Sequence, residues 1–397
     1  MSVKQNLVEG KFLNAIRKKI DSQIGSLARR IIYKKGPVKE NKLFVMTYDN
    51  MFADNEKYIV EELIRRKAPI DIVWVCAPKG DPDPNFPDEI RTVPHGTYEM
   101  FNEQASAKVW LDNALNCVWF NIPKKNNQCY MNTWHGSMGI KRLSGNAHWL
   151  KCAARCKKRT DFCITNSAFE ENVFRTTFWP TNPFLKYGHA RNDMLLHPEL
   201  VEPYRKEVME ALGIPEGKKL MLYAPTFRDD GDKSCYNIDY ALLKESLEKR
   251  FGGEWVILVR LHFKNRKNLG ETTYHSDWLY DANTYPDMQK LMVAIDAGIT
   301  DYSSWAYDFV LTKKPMFLYC PDIKKYNTDR GFYFPLESTP FLIAKNNKQL
   351  AAAVSEFDND IYLKKVDEFL EEKGCYETGN AASLVADKIL EVMGISD

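Results

Sequence analysis

Residues 132–143 read NTWHGSMGIKRL, and reactive side-chain types are concentrated there. The preceding run, with Cys129, Tyr130, Met131, Thr133 and Trp134, has the character of a buried strand end. It stops at His135-Gly136, and after a turn the cations Lys141 and Arg142 follow. A histidine at the carboxyl end of a strand in an α/β protein stands where ligands bind. Glycine beside it lets backbone approach a ligand closely, and the cations suit a phosphorylated substrate. A hydrogen-bonded histidine in a turn gives the same local pattern. A second histidine, His262, ends the run Val259-Arg260-Leu261 in the other half of the chain. Two strand-end histidines, one per half, are placed to face one cleft. An imidazole titrating near neutrality is suited to removing a proton from an alcohol.

A second group of residues suits anions. Thr300-Asp301-Tyr302-Ser303-Ser304 lies between an expected strand and an expected helix starting at Trp305. Free N–H groups at a helix start attract negative charge, and the serine hydroxyls add donors. Simple capping by Ser303 or Ser304 is the plainer alternative and is compatible with it. Thr226 and Arg228 follow the run 219–223, and Arg330 precedes Gly331. Arginine recognises phosphate bidentately, so lysine does not replace it freely. Arg191-Asn192 and Asp112-Asn113 follow further expected strands; with Gly136 and Lys141 they are candidates for the acceptor side, although turns and caps explain them equally. His148, Cys152, Cys156 and Cys163 match no standard zinc spacing. Asp229-Asp230 is a pair suited to magnesium, but beside Arg228 it reads as a solvated loop. No metal is expected.

The elements that must carry these residues alternate. Apolar runs predict strands at 43–48, 70–76, 109–111, 128–133, 162–165 and 184–187, then at 219–223, 255–261, 297–300 and 316–319. Helical spacing at 56–66, 204–212, 240–250, 286–294, 305–311 and 381–393 separates or follows them. Such alternation implies parallel sheets covered on both faces. Pro198, Pro203 and the turn Ile214-Pro215-Glu216-Gly217 put a boundary near 195–215. The expected division is an arm at 1–40, an acceptor domain at 41–200 and a donor domain at 201–397 with terminal helices. The absence of a Gly-x-Gly-x-x-Gly fingerprint argues against a dinucleotide dehydrogenase.

Several segments occur in a fixed order: Trp110-Leu111-Asp112-Asn113, Trp134-His135-Gly136, Ile164-Thr165-Asn166-Ser167, Arg191-Asn192-Asp193, Tyr223-Ala224-Pro225-Thr226, Ile299–Asp308 and Arg330–Phe334. Together they resemble the CDP-glycerol glycerophosphotransferase family, which contains the primases and polymerases of teichoic acid synthesis. The resemblance implies two Rossmann-like domains facing a cleft, the GT-B type. It implies attack of an acceptor hydroxyl on the β-phosphorus of CDP-glycerol, or another CDP-polyol, with CMP leaving and no cofactor. His135 is then the base, and His262 binds the transferring phosphate or assists the leaving group. Thr226, Arg228, Asp301, Ser303, Ser304 and Arg330 bind the donor. The acceptor is a lipid-linked saccharide or polyol phosphate at the cytoplasmic membrane face. Ser137-Met138-Gly139 and His189-Ala190 depart from the common family pattern. Two other readings share these features: a nucleotide-sugar glycosyltransferase of the same fold, and a catalytically silent CDP-polyol-binding partner in an envelope-polymer complex.

Composition sets the outer bounds. The 397 residues carry a net charge of +2, which argues against a nucleic-acid partner. The charge is uneven: residues 1–40 hold ten Lys/Arg against three Asp/Glu. Their apolar residues recur at helical spacing, so the arm reads as a basic amphipathic helix or pair of helices. Its expected partner is an anionic membrane surface; packing against the body is the alternative. No apolar run is long enough to span a membrane, and the start lacks the apolar core of a signal peptide. Nine cysteines without framework spacing suit a reduced compartment.

Overall fold

Continuous apolar runs become parallel strands in two sheets. The computed structural model describes residues 36–78, 85–137, 139, 141–143, 147–226, 228, 236–261 and 276–396, with backbone alone at 329–330. The basic arm therefore lies outside the described residues up to position 35. The first sheet contains β1 (Lys39–Met46), β2 (Asp71–Cys76), β3 (Ile90–Pro94), β4 (Ala107–Asp112), β5 (Cys129–Asn132), β6 (Phe162–Ile164) and β7 (Phe184–Leu185), in the order β3-β2-β1-β4-β5-β6-β7. The second contains β8 (Lys219–Tyr223), β9 (Trp255–Val259), β10 (Leu279–Asp281), β11 (Ala297–Thr300), β12 (Met316–Tyr319) and β13 (Leu342–Ala344), in the order β10-β9-β8-β11-β12-β13. All these pairings are parallel.

Alternation along a strand sends neighbouring side chains to opposite faces. In β1, Phe44 and Met46 enter one core with Val73, Trp110 and Tyr130. Leu43 and Val45 enter the other with Trp74, Val109 and Leu111. Both faces are therefore covered, as parallel sheets require. The helix Ala381–Met393, the last element of the 201–397 segment, packs on this first sheet: Val385, Ile389 and Met393 join Leu43 and Val45 in one cluster. Asp193 caps it, accepting from the Ala381 and Ala382 N–H groups at 2.8 Å.

Strands β3, β10 and β13 were not anticipated. All three lie at sheet edges. β3 carries Arg91, Thr92 and Pro94, and proline is tolerated only where its missing N–H is not needed by a neighbour. β10 and β13 have three residues each, too few for a periodic signal.

Strand order reverses between β1 and β4 in the first sheet and between β8 and β11 in the second. Ligands bind beyond the carboxyl ends of strands at such switch points. β11 reaches its switch point through Gly298, where an added Cβ would meet Trp305 and Met316 side-chain atoms at 2.7 Å. Gly298→Ala is therefore expected to destabilise the protein by about 1–3 kcal/mol through overpacking. Urea unfolding monitored by tryptophan fluorescence checks this; an unchanged midpoint would show that the site relaxes freely.

Candidate functional site

β5 ends at Asn132, and the chain then turns sharply. Trp134 adopts φ of +56°, a conformation a bulky side chain rarely takes. It is held there from three sides. Its N–H donates to Asn132 Oδ1 at 3.0 Å, its carbonyl accepts from Asn55 Nδ2 at 3.0 Å, and its ring lies 4.8 Å from that of Phe178. The turn delivers His135 into the cleft between the sheets. The rings of Trp134 and Tyr48 stack against its imidazole, with centroids 4.7 and 5.2 Å away.

The His135 Nδ1 lies 2.6 Å from the carbonyl oxygen of Asn113, just beyond β4. A carbonyl only accepts, so Nδ1 carries the proton and the neutral ring leaves Nε2 as a base. Burial pushes the His135 pKa below its ordinary value; the Asn113 bond and the Asp54 carboxylate pull the other way without reversing it. The ring is thus neutral at neutral pH, with its one proton on Nδ1.

The opposite wall is built at the second switch point. Thr300 Oγ1 and Trp305 Nε1 both donate to the Ala224 carbonyl, at 2.7 and 2.8 Å. Asp301 Oδ1 accepts from the Thr226 and Tyr302 N–H groups at 2.9 and 2.6 Å. The loops after β8 and β11 are therefore locked together, with Ser303 and Ser304 at the cleft. Ser304 precedes the helix Trp305–Phe309 without a side-chain cap bond, so the capping alternative is not what its hydroxyl does.

Two cavities of about 560 and 610 Å³ share Tyr48, His135, Ser303 and Ser304 in their walls. The first is polar, with Asn113, Arg191, Lys57 and Asp287. The second is aromatic, with Trp119, Trp149 and Tyr333 beside Gly136, Lys141 and Thr226. The halves are tied at both ends of this cleft. Asp287 accepts from Tyr58 Oη at 2.9 Å and pairs with Lys57, while the backbone at Lys141 bridges Phe332.

Other candidates sit behind the walls. Asp112 is fully buried, and its oxygens accept from the Ala114 and Cys117 N–H groups and Tyr130 Oη, all at 2.8 Å. Arg228 pairs with Asp322 and Asp301 at 2.7 and 2.8 Å and lies against the Tyr302 and Tyr326 rings. It braces the loop that carries Thr226. Asn192 is buried between Asp308 and Glu377. Arg330 ends the helix Ile323–Arg330; its side chain, and the whole of His262, Asp229 and Asp230, lie outside the described residues. His148 Nε2 lies 3.5 Å from Cys152 Sγ, while Cys156 meets Thr160 and Tyr130. Among the described residues no three His, Cys, Asp or Glu side chains gather as a metal site. Sequence reading missed Tyr48, Asp54 and Asp308. Asp308 stands inside a segment singled out for its serines, and Asp54 is an acid in the first turn of the helix Asp54–Arg65, where a capping role hides any other.

Over residues 28–391 the chain matches the family described as CDP-Glycerol:Poly(glycerophosphate) glycerophosphotransferase. It is 29% identical over 362 residues to a teichoic acid poly(glycerol phosphate) polymerase of Staphylococcus epidermidis, covering 85% of this chain and 48% of that protein. The chain thus spans about half the length of that relative. It is 28% identical over 372 residues to the corresponding Bacillus spizizenii polymerase, covering 89% and 93%. A variant of the wall teichoic acid polymerase TagF soaked with CDPG superposes with a TM-score of 0.80 at 26% identity, covering 97% and 98% of the two chains.

The His135 imidazole should titrate below about 6.5, the ordinary histidine value. Asp54→Asn should lower it further, because Asp54 favours the protonated ring. Heteronuclear NMR of the imidazole nitrogens against pH measures both. A midpoint above the ordinary value would contradict the burial argument.

Proposed function

This chain belongs to the CDP-glycerol:poly(glycerophosphate) glycerophosphotransferase family, and we propose that it moves glycerol phosphate from CDP-glycerol to a hydroxyl of a teichoic-acid-type acceptor. The observation that carries this reading is the fixed tautomer of His135, which aims an unprotonated nitrogen at a cleft walled on the far side by Ser303 and Ser304. The acceptor oxygen attacks the β-phosphorus, the bond to the CMP oxygen breaks, and the hydroxyl proton passes to Nε2. Diphosphate oxygens take hydrogen bonds from the Ser303 and Ser304 hydroxyls and from N–H groups of that turn. The reading uses no resident metal or cofactor.

Two lobes that meet at the same four side chains suit a reaction joining two substrates, since donor and acceptor can enter from different sides. The aromatic lobe offers ring faces to a saccharide and the Lys141 cation to a phosphate. The acceptor is lipid-linked in this reading, and the basic arm brings the enzyme to an anionic membrane surface, worth about 1 kcal/mol per cation near the surface. None of the described helices is long and apolar enough to cross a membrane.

The purified protein given CDP-glycerol and a lipid-linked disaccharide should release CMP and yield a product heavier by glycerol phosphate. His135→Ala should lower turnover by about 100-fold or more while donor affinity stays within a few-fold. Near wild-type turnover would remove His135 as base, and label entering the product from a nucleotide sugar would replace the reaction itself. Removing residues 1–38 should abolish flotation with anionic liposomes yet leave turnover of a soluble acceptor analogue. Equal flotation of both proteins, or loss of the thermal transition in the shorter one, rejects the anchor role.

A further inference from the structure

We propose that Arg191 is a positioning residue that sets the gap between His135 and the Ser303–Ser304 turn. This rests on the assignment of His135 as base. Arg191 is 4% exposed, and its guanidinium is divided between the two halves. NH1 donates to Asp54 Oδ1 at 2.6 Å; NH2 donates to the Gly136 carbonyl at 2.6 Å and to Asp308 Oδ2 at 3.2 Å.

Each contact leads to a reacting group. Gly136 is the residue immediately after His135. Asp54 uses its other oxygen to accept from Asn113 Nδ2 at 2.9 Å, and the carbonyl of that asparagine holds His135 Nδ1. The Arg191 N–H also donates to Asn55 Oδ1 at 3.2 Å, whose Nδ2 holds the Trp134 carbonyl. The residues on both sides of His135, and its ring, are thereby tied to one residue: Gly136 and the ring through the guanidinium, and Trp134 through the backbone N–H. On the far wall, Asp308 lies on the helix that begins directly after Ser304, and its Oδ1 accepts from Asn192 Nδ2 at 2.9 Å. A rigid planar fork can span three acceptors in fixed directions, whereas an ammonium on a flexible stem does not reproduce them. With its acceptors in place and its side chain buried, Arg191 is not arranged to grip a substrate phosphate.

Such a role predicts a loss of rate without a loss of donor binding, since displacement by an ångström can cost catalysis up to about 100-fold. Arg191→Lys and Asp308→Asn are made in the full chain, each with and without His135→Ala. Turnover, calorimetric affinity for CDP-glycerol and thermal melting are measured for all. The expected result is a fall in kcat of about tenfold or more, donor affinity within about twofold, and an effect under about twofold in the His135→Ala background, because residues acting through one group are not additive. An equal loss in both backgrounds, a parallel loss of donor affinity, or unchanged kcat in a folded variant would overturn it. Where Arg191→Lys fails to fold, Asp308→Asn carries the test, because it leaves the guanidinium and its first-half contacts in place. Near wild-type turnover in His135→Ala alone would remove the base assignment as well, and is told apart from failure of the positioning role by that single variant.

Discussion

The hydrogen bond from His135 Nδ1 to the Asn113 carbonyl fixes which face of the imidazole the cleft is offered. An imidazole free to choose its tautomer or to flip would present a donor as often as an acceptor. Here the choice is made by a backbone oxygen at the end of β4, the strand next to the one that delivers the histidine. Register between β4 and β5 therefore selects the tautomer: Asp112 pairs with Asn132, and the residues just beyond each strand meet. The left-handed Trp134 lies on this path. Strain of about 1–3 kcal/mol at such a residue persists only where neighbours over-determine it, and Asn55, Asn132 and Phe178 do so here.

The second half solves a different problem. A cleft wall that leaves hydroxyls such as those of Ser303 and Ser304 facing the cavity must satisfy the polar groups behind them. Asp301 does this by turning inward to the Thr226 and Tyr302 N–H groups, and Arg228 covers the carboxylates with a cation stacked on tyrosine rings. Preorganised donors cost little reorganisation when charge develops in a transition state. The wall is stiff because its charges are spent internally.

Much of this was legible in the residues, and what was not has a physical reason. Strands buried on both faces write themselves as apolar runs, so the central strands of both sheets and the helix Ala381–Met393 could be read directly. Edge strands such as β3 and β13 bury less and leave little pattern. His135, Ser303 and Ser304 stand at strand ends, where position alone suggests a ligand, and the structure brings them to one cleft. Sequence gives the charge of Arg191, Asp112 and Arg228 but not their direction, so the internal pairings of these side chains could not be read from it. Their partners lie far along the chain: Asp54 is 137 positions from Arg191, and Asp322 is 94 from Arg228. No local window contains both members of such a pair.

The return of the helix Ala381–Met393 to the first sheet has a consequence for the order of assembly. Val385, Ile389 and Met393 belong to one cluster with apolar side chains of β1, β2 and β4, strands made from residues 39–112. The helix Asp54–Arg65 joins that cluster early through Ile59, Val60 and Leu63, but the cluster stays incomplete during synthesis while the whole second half emerges. Domains ordinarily fold amino-terminal first as they leave the ribosome, and exposed apolar surface invites aggregation. In this chain the earlier half cannot close its core until the later one has been made, so the second half is topologically an insertion and the first is finished last. Completion of the fold is thereby coupled to arrival of the wall that carries Ser303 and Ser304.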